Sequence, residues 1–106
     1  MQESRMQVVV VIPAYNEERN IAAVVVGAQK YTPNVVVCDD GSTDMTREIA
    51  ERLGAVVVRH QSNLGKGVAL KDLFWRAKEM KADVVVTLDG DRQHALAFDV
   101  TNNRHH

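Results

Sequence analysis

The sequence predicts an α/β fold, with an open, mostly parallel sheet of four strands and alternating helices. Four short valine-rich runs recur along the chain, and each is apolar without alternation, as in strands that are buried on both faces. Apolar residues at helical spacing separate the runs, which is typical of right-handed βαβ units. We expect the strands at residues 7–12, 35–39, 55–59 and 83–88, in the sheet order 3-2-1-4.

The first predicted helix begins near Glu17, with Asn16 as its N-cap. Glu17 and Glu18 would then lie in the first turn, where the helix dipole favours negative charge. The apolar face of this helix has the spacing i, i+3, i+4, i+7 and comprises Ile21, Val24, Val25 and Ala28.

The second predicted helix follows a cap at Ser42 or Thr43 and stops at Gly54. The third runs over residues 66–80, with Trp75 pointing away from the sheet. The apolar faces comprise Met45, Ile49 and Leu53 in the second helix, and Leu70, Leu73, Phe74 and Ala77 in the third.

The composition excludes several classes of protein. The 106 residues suffice for one small domain, and 45% hydrophobic with 25% charged residues is ordinary for a soluble globular protein. A net charge of -1 argues against a nucleic acid partner and against a polybasic membrane patch. Cys38 is the only cysteine, which excludes an internal disulfide and a cysteine metal cage and fits a reducing, cytoplasmic setting. We expect neither a membrane span nor a signal peptide, and we leave His105 and His106 out of the fold.

Open parallel sheets bind ligands at the carboxyl ends of their strands, so the residues there are candidates for a site. After the first strand, Pro13 should end the strand, and the ring of Tyr15 is suited to stacking on a base. Glu17 could accept hydrogen bonds from a base or a ribose. The alternative is that this segment only initiates a helix.

The second strand ends in Asp39 and Asp40, followed by Gly41, which permits a sharp turn. Neighbouring strand residues point to opposite faces, so we expect one carboxylate to tie down the loop and the other to reach a ligand such as a ribose. The alternative is a pair of solvated turn aspartates.

The third strand is followed by a glycine-rich turn, with Lys66 between Gly65 and Gly67. The spacing matches neither a Walker phosphate loop nor a dinucleotide fingerprint. Backbone N–H groups at the start of the next helix could still hold an anion close to Lys66. The alternative is an exposed lysine after a flexible turn.

The fourth strand runs into Asp89, Gly90 and Asp91, whose two carboxylates point to the same side of an extended chain. Carboxylates so close repel each other and favour a cation beside them, and oxygen ligands suit Mg²⁺ or Mn²⁺. Gln93 and His94 could add ligands, and Gly90 lets a ligand approach the backbone. The alternative is an acidic loop.

Four segments occur in the order VVVVIPAYNEERNI, VVVCDDGSTDMT, VVVRHQSNLGKGVAL and ADVVVTLDGDRQH. Together they resemble the nucleotide-binding half of glycosyltransferase family 2, inverting enzymes with the GT-A fold, and are similar to its dolichyl-phosphate mannose synthases and undecaprenyl-phosphate sugar transferases. The resemblance covers residues 7–94. It implies a truncated, Rossmann-like sheet of the nucleotide-diphospho-sugar transferase type, with residues 1–94 as the nucleotide-sugar-binding half and residues 95–106 as a divergent C-terminal tail.

The resemblance also implies roles for single residues. Pro13, Tyr15 and Glu17 would line the base and ribose, and Asp40 would contact one of these two groups. The carboxylates of Asp89 and Asp91, the D-x-D motif of the family, would hold the sugar nucleotide and Mg²⁺ or Mn²⁺. The implied nucleotide-sugar-binding residues are Pro13, Tyr15, Glu17, Asp40, Lys66, Asp89, Gly90 and Asp91. The implied metal ligands are Asp89, Asp91 and Gln93.

The implied activity is metal-dependent transfer of a sugar, with inversion, from a UDP- or GDP-linked donor to an acceptor such as a polyprenyl phosphate. After residue 94 the chain departs from the family pattern, which continues with Asp-Pro and an acceptor-binding half, so we expect the catalytic base to be absent. Arg92 could pair with Asp91 and compete with the metal. The alternative function is a catalytically incomplete nucleotide-sugar-binding or oligomerising module, and a third is a generic Rossmann-like domain for another nucleotide.

Without the second half, the fourth strand should have a bare outer edge, and Trp75 and Phe98 should lack the surface that covers them in the family. Bare edges and apolar patches favour association. We therefore expect a homodimer or a higher homo-oligomer.

Overall fold

Eight elements follow one another in the computed structural model, which describes residues 6–89 and 95–100. Three helices separate the first four strands, as the valine-rich runs predicted. In chain order the elements are β1 (Val8–Ala14), α1 (Ile21–Gln29), β2 (Val35–Asp40), α2 (Thr46–Arg52), β3 (Val56–His60), α3 (Lys66–Glu79), β4 (Val84–Leu88) and β5 (Ala95–Asp99).

The strands form one sheet in the order β3-β2-β1-β4-β5. The first four strands of the chain are parallel to their neighbours, and their expected order 3-2-1-4 is confirmed. Val10 of β1 lies opposite Val35 of β2 on one side and Val86 of β4 on the other. The carboxyl ends of these strands therefore meet along one edge of the sheet.

Helices cover both faces of the sheet, which explains the uninterrupted valine runs of β1, β2 and β4. One face packs against α1 and α2, and the other packs against α3. Trp75 is 63% exposed and points away from the sheet, as predicted. No helix within residues 6–89 and 95–100 is long and apolar enough to cross a membrane. The predicted apolar faces of α1 and α3 are confirmed: Ile21, Val24, Val25, Ala28, Leu73 and Ala77 are buried, and Leu70 and Phe74 are partly buried.

The start of α1 differs from the prediction. The helix begins at Ile21, so a start near Glu17 with Asn16 as N-cap is wrong, and Glu17 and Glu18 lie before the helix. Asn16 has a left-handed φ of 51°, and its Oδ1 accepts a hydrogen bond from the N–H of Thr43 at 2.8 Å. This contact with the neighbouring loop outweighs the local capping signal.

The start of α2 at Thr46 agrees with the sequence, but neither Ser42 nor Thr43 caps the helix. The Oγ of Ser42 accepts a hydrogen bond from the N–H of Asn16 at 2.9 Å, so that hydroxyl is used between loops. The N–H of Thr46 instead donates to Oδ1 of Asp44 at 2.9 Å. The N-cap position is Met45, so the predicted caps lie two or three residues too early.

Met45 lies outside the buried face of α2, so its predicted place on that face is wrong. It is the N-cap residue, with non-helical backbone angles of φ -89° and ψ 12°, and its side chain is 52% exposed. Ile49 and Leu53 do pack against the core. Gly54 has a φ of 95°, a left-handed conformation that glycine adopts readily, and confirms the predicted stop.

Pro13 does not end β1, which continues to Ala14. The N–H of Val10 donates to the carbonyl of Asn34, on the side of β2, and alternation along the strand turns the nitrogen of Pro13 toward β4. Within the described residues, the pairing of β1 with β4 stops at Val11. Proline is tolerated at this position because no ladder hydrogen bond is lost.

The strand β5 does not follow from the sequence pattern. It pairs antiparallel with β4, and Phe98 lies opposite Val85, so the predicted bare edge of β4 is wrong. An antiparallel neighbour needs only a short connection, which residues directly after a strand can supply. The division of the chain at residue 94 stays a prediction. The homo-oligomer also stays a prediction, and it is still favoured by the exposed apolar side chain of Trp75.

The ring of Phe98 attaches β5 to α3 by an edge-to-face contact with Phe74, with ring centroids 5.6 Å apart. We expect Phe98→Ala to lower the free energy of unfolding by about 1–2 kcal/mol, because it removes an aromatic pair and buried apolar surface. Urea unfolding followed by circular dichroism measures the free energy of unfolding of the variant and of the wild type. Leu96→Ala on the same strand, where the side chain is 63% exposed, should change it by less than about 0.5 kcal/mol. Equal effects of the two substitutions would contradict this packing.

Candidate functional site

A cleft of about 230 Å³ opens at the carboxyl edge of the sheet, beside the ends of β1, β2 and β4 and the start of α3. Parallel strands bring residues that are distant in sequence together at this edge. Those that the sequence singled out are Pro13, Tyr15, Glu17, Asp40, Lys66 and Asp89. The cleft is also lined by Ala14, Asn63 and Ala69, which the sequence motifs did not single out.

Asp40 ends β2 and is 4% exposed. Its Oδ1 accepts a hydrogen bond from the N–H of Leu64 at 2.9 Å and lies 2.8 Å from Nδ1 of His60. Its Oδ2 accepts from the N–H of Gly65 at 3.0 Å. Burial works to raise the pKa of Asp40, but these hydrogen bonds, with His60 foremost, outweigh it and hold the pKa below its usual value. Asp40 is thus an ionised acceptor that fixes the loop before α3.

Asp39 points to the opposite face from Asp40, as predicted for neighbouring strand residues. Val37 belongs to the core under α1 and α2, whereas Cys38 belongs to the core under α3, and the alternation continues to the strand end. Oδ1 of Asp39 accepts a hydrogen bond from the N–H of Ser42 at 3.0 Å and ties down the turn. Both carboxylates therefore hold loops, and Asp40 also lines the cleft.

Two residues behind Asp40, His60 and Asp72, are not marked by the sequence motifs and do not line the cleft. The ring of His60 is 8% exposed, with Nδ1 2.8 Å from Asp40 and Nε2 2.6 Å from Oδ2 of Asp72. Hydrogen bonds with Asp40 and then Asp72 raise the pKa of His60 above its ordinary value, against the opposing effect of burial. His60 ends β3, so the strand-end rule applied to the other strands would have found it. Asp72 lies within α3, where no local pattern marks it.

The loop after β1 is held by the loop after β2. The N–H of Glu17 donates to Oγ1 of Thr46 at 2.8 Å, and the N–H of Asn16 donates to Oγ of Ser42. These contacts fix the backbone that carries Tyr15 and Glu17 into the cleft. Because Tyr15 is 44% exposed, its ring is available to a ligand.

Lys66 and Asp89 meet at the cleft, with Nζ of Lys66 2.8 Å from Oδ1 of Asp89. The two side chains are 63% and 31% exposed, so this pair adds little to the stability of the fold. The pair places the ammonium group of Lys66 beside Asp89, the first carboxylate of the D-x-D segment. The remaining residues of that segment and its candidate ligands lie outside the described ranges: Gly90, Asp91, Arg92, Gln93 and His94.

Asp89 is the one predicted metal ligand within the described residues. Asp89 supplies a carboxylate oxygen, the type of ligand that Mg²⁺ and Mn²⁺ prefer, and so it fits such an ion. Within residues 6–89 and 95–100, no group of three or more His, Cys, Asp or Glu side chains is placed to hold a metal. Since Asp91 and Gln93 lie outside these ranges, the metal site stays a prediction.

Gly41 permits the close approach of two loops beside the cleft. It has a φ of 82°, and a Cβ added there would lie 2.5 Å from the carbonyl carbon of Ser62 and 2.6 Å from the nitrogen of Asn63. Both are backbone atoms, so the loop would have to shift. Gly41 therefore positions Asn63, one of the lining residues.

Known proteins are similar to this chain in sequence and in fold. The family model described as glycosyl transferase family 2 matches residues 9–98. A UDP-N-acetylglucosamine–dolichyl-phosphate N-acetylglucosaminyltransferase of Methanococcus voltae is 35% identical, over 80% of this chain and 41% of its own length. An uncharacterised protein of Methanocaldococcus jannaschii is 42% identical, over 83% of this chain and 37% of its own length. The chain thus spans about two fifths of the length of these curated relatives.

The fold matches that of glucosyl-3-phosphoglycerate synthase from Mycobacterium tuberculosis in complex with Mn²⁺, UDP and glucosyl-3-phosphoglycerate. The TM-score is 0.65 and the identity is 33%, over 80% of this chain and 33% of that chain. Another structure of that enzyme contains Mg²⁺ and UDP. The α/β sheet described above is therefore the Rossmann-like sheet of the GT-A fold, as the sequence resemblance implied.

The left-handed backbone of Gly41 generates a stability test. We expect Gly41→Ala to lower the free energy of unfolding by about 2 kcal/mol or more, since alanine is strained at this φ and its Cβ would displace the loop. Gly27→Ala is the matched control, because Gly27 lies in α1 and a Cβ there meets no atom within 4 Å. The control should stabilise the protein by about 0.5–1 kcal/mol. If both variants unfold at the same urea concentration, the close approach at Gly41 is contradicted.

Proposed function

Because the chain belongs to glycosyl transferase family 2, we propose that its cleft binds the nucleotide of a nucleotide-diphosphate sugar. The observation that carries this proposal is the convergence of strand-end residues on one cleft. Pro13, Tyr15, Asp40 and Asp89 come from three separate strand ends and line the same space. A site at the carboxyl edge of an open parallel sheet is where such folds bind nucleotides.

The base and ribose are assigned to the inner part of the cleft. The half-exposed ring of Tyr15 offers a flat surface for a base. A carboxylate has about four lone-pair sites, and the described contacts of Asp40 with His60, Leu64 and Gly65 use three. The remaining site on Oδ2 suits a base N–H or a ribose hydroxyl. These groups are present in both UDP and GDP, so we propose a UDP- or GDP-linked donor.

The diphosphate is assigned to the outer part, between α3 and Asp89. The first turn of a helix leaves N–H groups without an intrahelical acceptor, and Lys66 adds a cationic side chain at that turn. However, the lining residues that the structure describes include three carboxylates, Glu17, Asp40 and Asp89, against the single cation of Lys66. An anionic diphosphate therefore needs an added cation, which supports a metal requirement.

We propose that Asp89 and Asp91 hold Mg²⁺ or Mn²⁺ together with Gln93. A divalent ion bound there would neutralise the charge of the departing nucleoside diphosphate. Asp89 is the described member of this set, and its carboxylate is shared with Lys66. If Asp89 holds the ion, Lys66 would lose its ion-pair partner and could contact the diphosphate instead.

The proposed reaction of the whole protein is transfer of the sugar with inversion to an acceptor such as a polyprenyl phosphate. This is supported by the relative from Methanococcus voltae, whose name gives dolichyl phosphate as its acceptor. A phosphate acceptor is already ionised and does not require a general base, in contrast to a hydroxyl. We assign no catalytic base to this chain.

A second candidate function is a catalytically incomplete module that binds a nucleotide sugar. Such binding requires only the cleft and the strand-end residues that line it, among them Pro13, Tyr15, Asp40 and Asp89. Incubation with a radiolabelled sugar nucleotide and a polyprenyl phosphate separates the two candidates. Labelled lipid would favour the transferase, whereas nucleotide binding without product would favour the module.

The charge of Asp89 should set the metal dependence of binding. In calorimetric titrations with UDP and GDP, we expect Asp89→Asn to lose most of the affinity that Mg²⁺ or Mn²⁺ adds for the wild type, at least about tenfold. Metal-free affinity should be equal or higher, because Lys66 becomes available to the diphosphate. Glu51→Gln, an exposed carboxylate paired with Arg47 on α2, is the control and should behave as wild type. The same metal-dependent gain in Asp89→Asn and wild type would refute the assignment.

The ring of Tyr15 should contribute by stacking. Tyr15→Ala is expected to weaken nucleotide binding about tenfold, a typical loss for one base–aromatic contact, while Tyr15→Phe keeps most of the affinity. Tyr31→Ala serves as the control, because Tyr31 is 85% exposed and lies outside the cleft. Fluorescence or calorimetric titration measures the affinities. An equal loss in the two alanine variants would exclude a specific stacking role.

A further inference from the structure

The ring of His60 lies between two carboxylates that belong to different elements. Asp40 at the end of β2 is 2.8 Å from Nδ1, and Asp72 in α3 is 2.6 Å from Nε2. A neutral imidazole has one N–H, so one carboxylate would then face a nitrogen lone pair at hydrogen-bond distance. Both distances are satisfied only when both ring nitrogens donate. Between two ionised carboxylates, this geometry therefore favours an imidazolium.

This ring links the floor of the cleft to the helix that begins at its rim. Asp40 lines the cleft and holds the N–H groups of Leu64 and Gly65. Asp72 belongs to α3, whose first residue is Lys66. The two hydrogen bonds of the His60 ring, to Asp40 and to Asp72, thus tie the end of β2 to α3, the helix that begins with Lys66.

We propose that His60 and Asp72 are a positioning pair behind Asp40, and that the cleft binds a nucleotide best when both nitrogens of the His60 ring carry a proton. This inference rests on the proposed nucleotide-binding function. Neither residue lines the cleft, so they act through Asp40 and α3 and not by contact with the ligand. When the ring is neutral, one of the two hydrogen bonds is lost, and the tie between β2 and α3 opens.

The direction of the pH dependence follows from the groups that face the ring. From β2 these are Asp40 and Cys38, and from α3 the facing group is Asp72. Burial, with the nearby charge of Asp40 second, raises the pKa of Cys38 to about 12, so the thiol stays neutral. The carboxylates raise the pKa of His60. Nucleotide affinity should therefore be highest below this raised pKa and fall as the pH rises through it.

Asp72→Asn is the diagnostic variant. The amide of Asn can donate an N–H to Nε2, so a neutral ring can still donate Nδ1–H to Asp40 and the tie survives deprotonation. Asp72→Ala removes the tie at every pH. Asp72 is about half exposed, which favours correct folding of both variants. Glu79→Gln is the matched control, an exposed carboxylate on the same helix whose ion-pair partner is Arg76.

The test measures binding of UDP-glucose and GDP-mannose with Mg²⁺ by calorimetry between about pH 6 and 8.5, since neither ligand has a phosphate that titrates there. The wild type and Glu79→Gln should lose at least about fivefold in affinity as the pH rises. Asp72→Asn should be flat, and Asp72→Ala should be weak throughout. A wild type with pH-independent binding, or Asp72→Asn with the wild-type profile, would overturn the proposal.

A second measurement separates failure of this inference from failure of the proposed function. In the nucleotide-free protein, NMR follows the ring of His60 and the backbone amides of Leu64 and Gly65 against pH. We expect the amides to titrate with the midpoint of His60, above its ordinary pKa, and Asp72→Asn to lower that midpoint. This result without nucleotide binding would reject the proposed function alone. A His60 midpoint at or below the ordinary value, or amides that ignore it, would reject the positioning pair.

Discussion

The buried carboxylate of Asp40 is the interaction on which the carboxyl edge of the sheet depends. It accepts hydrogen bonds from Leu64 and Gly65 and meets the ring of His60, so one side chain joins β2, β3 and the loop that leads to α3. An unpaired charge at 4% exposure would be costly, and these donors are what make it tolerable. Asp40 also lines the cleft, so the side chain that joins these elements is at the same time a candidate ligand-binding group.

The cleft at the carboxyl edge of the sheet is lined by charged side chains of both signs. Among the described residues that line the cleft, three are carboxylates, Glu17, Asp40 and Asp89, and one is a cation, Lys66. We expect such a balance to repel a bare diphosphate and to favour one that arrives with a divalent ion. The Mn²⁺ and Mg²⁺ in the structures of the similar synthase are an independent observation that supports the same proposal.

The sequence predicted the parts of the fold that depend on local pattern. Uninterrupted valine runs require burial on both faces, which led to the parallel sheet, its order and the cleft at the strand ends. The features that it did not predict depend on contacts between distant segments. Asn16 bonds to the second loop instead of capping α1, and β5 is an alanine-containing strand of low intrinsic propensity that β4 stabilises. Asp72 is separated from His60 by a turn and part of a helix, so only the folded chain brings them together.

The most direct test of the central claim is to map backbone amide shifts by NMR while UDP or GDP is added with Mg²⁺. If the cleft is the nucleotide site, the signals of Tyr15 and of residues 63–66 should move, in saturable fashion. A second groove of about 280 Å³, between α1 and the end of β4, offers an internal comparison and should remain unchanged. Shifts confined to that groove, or none in the folded protein, would contradict the account.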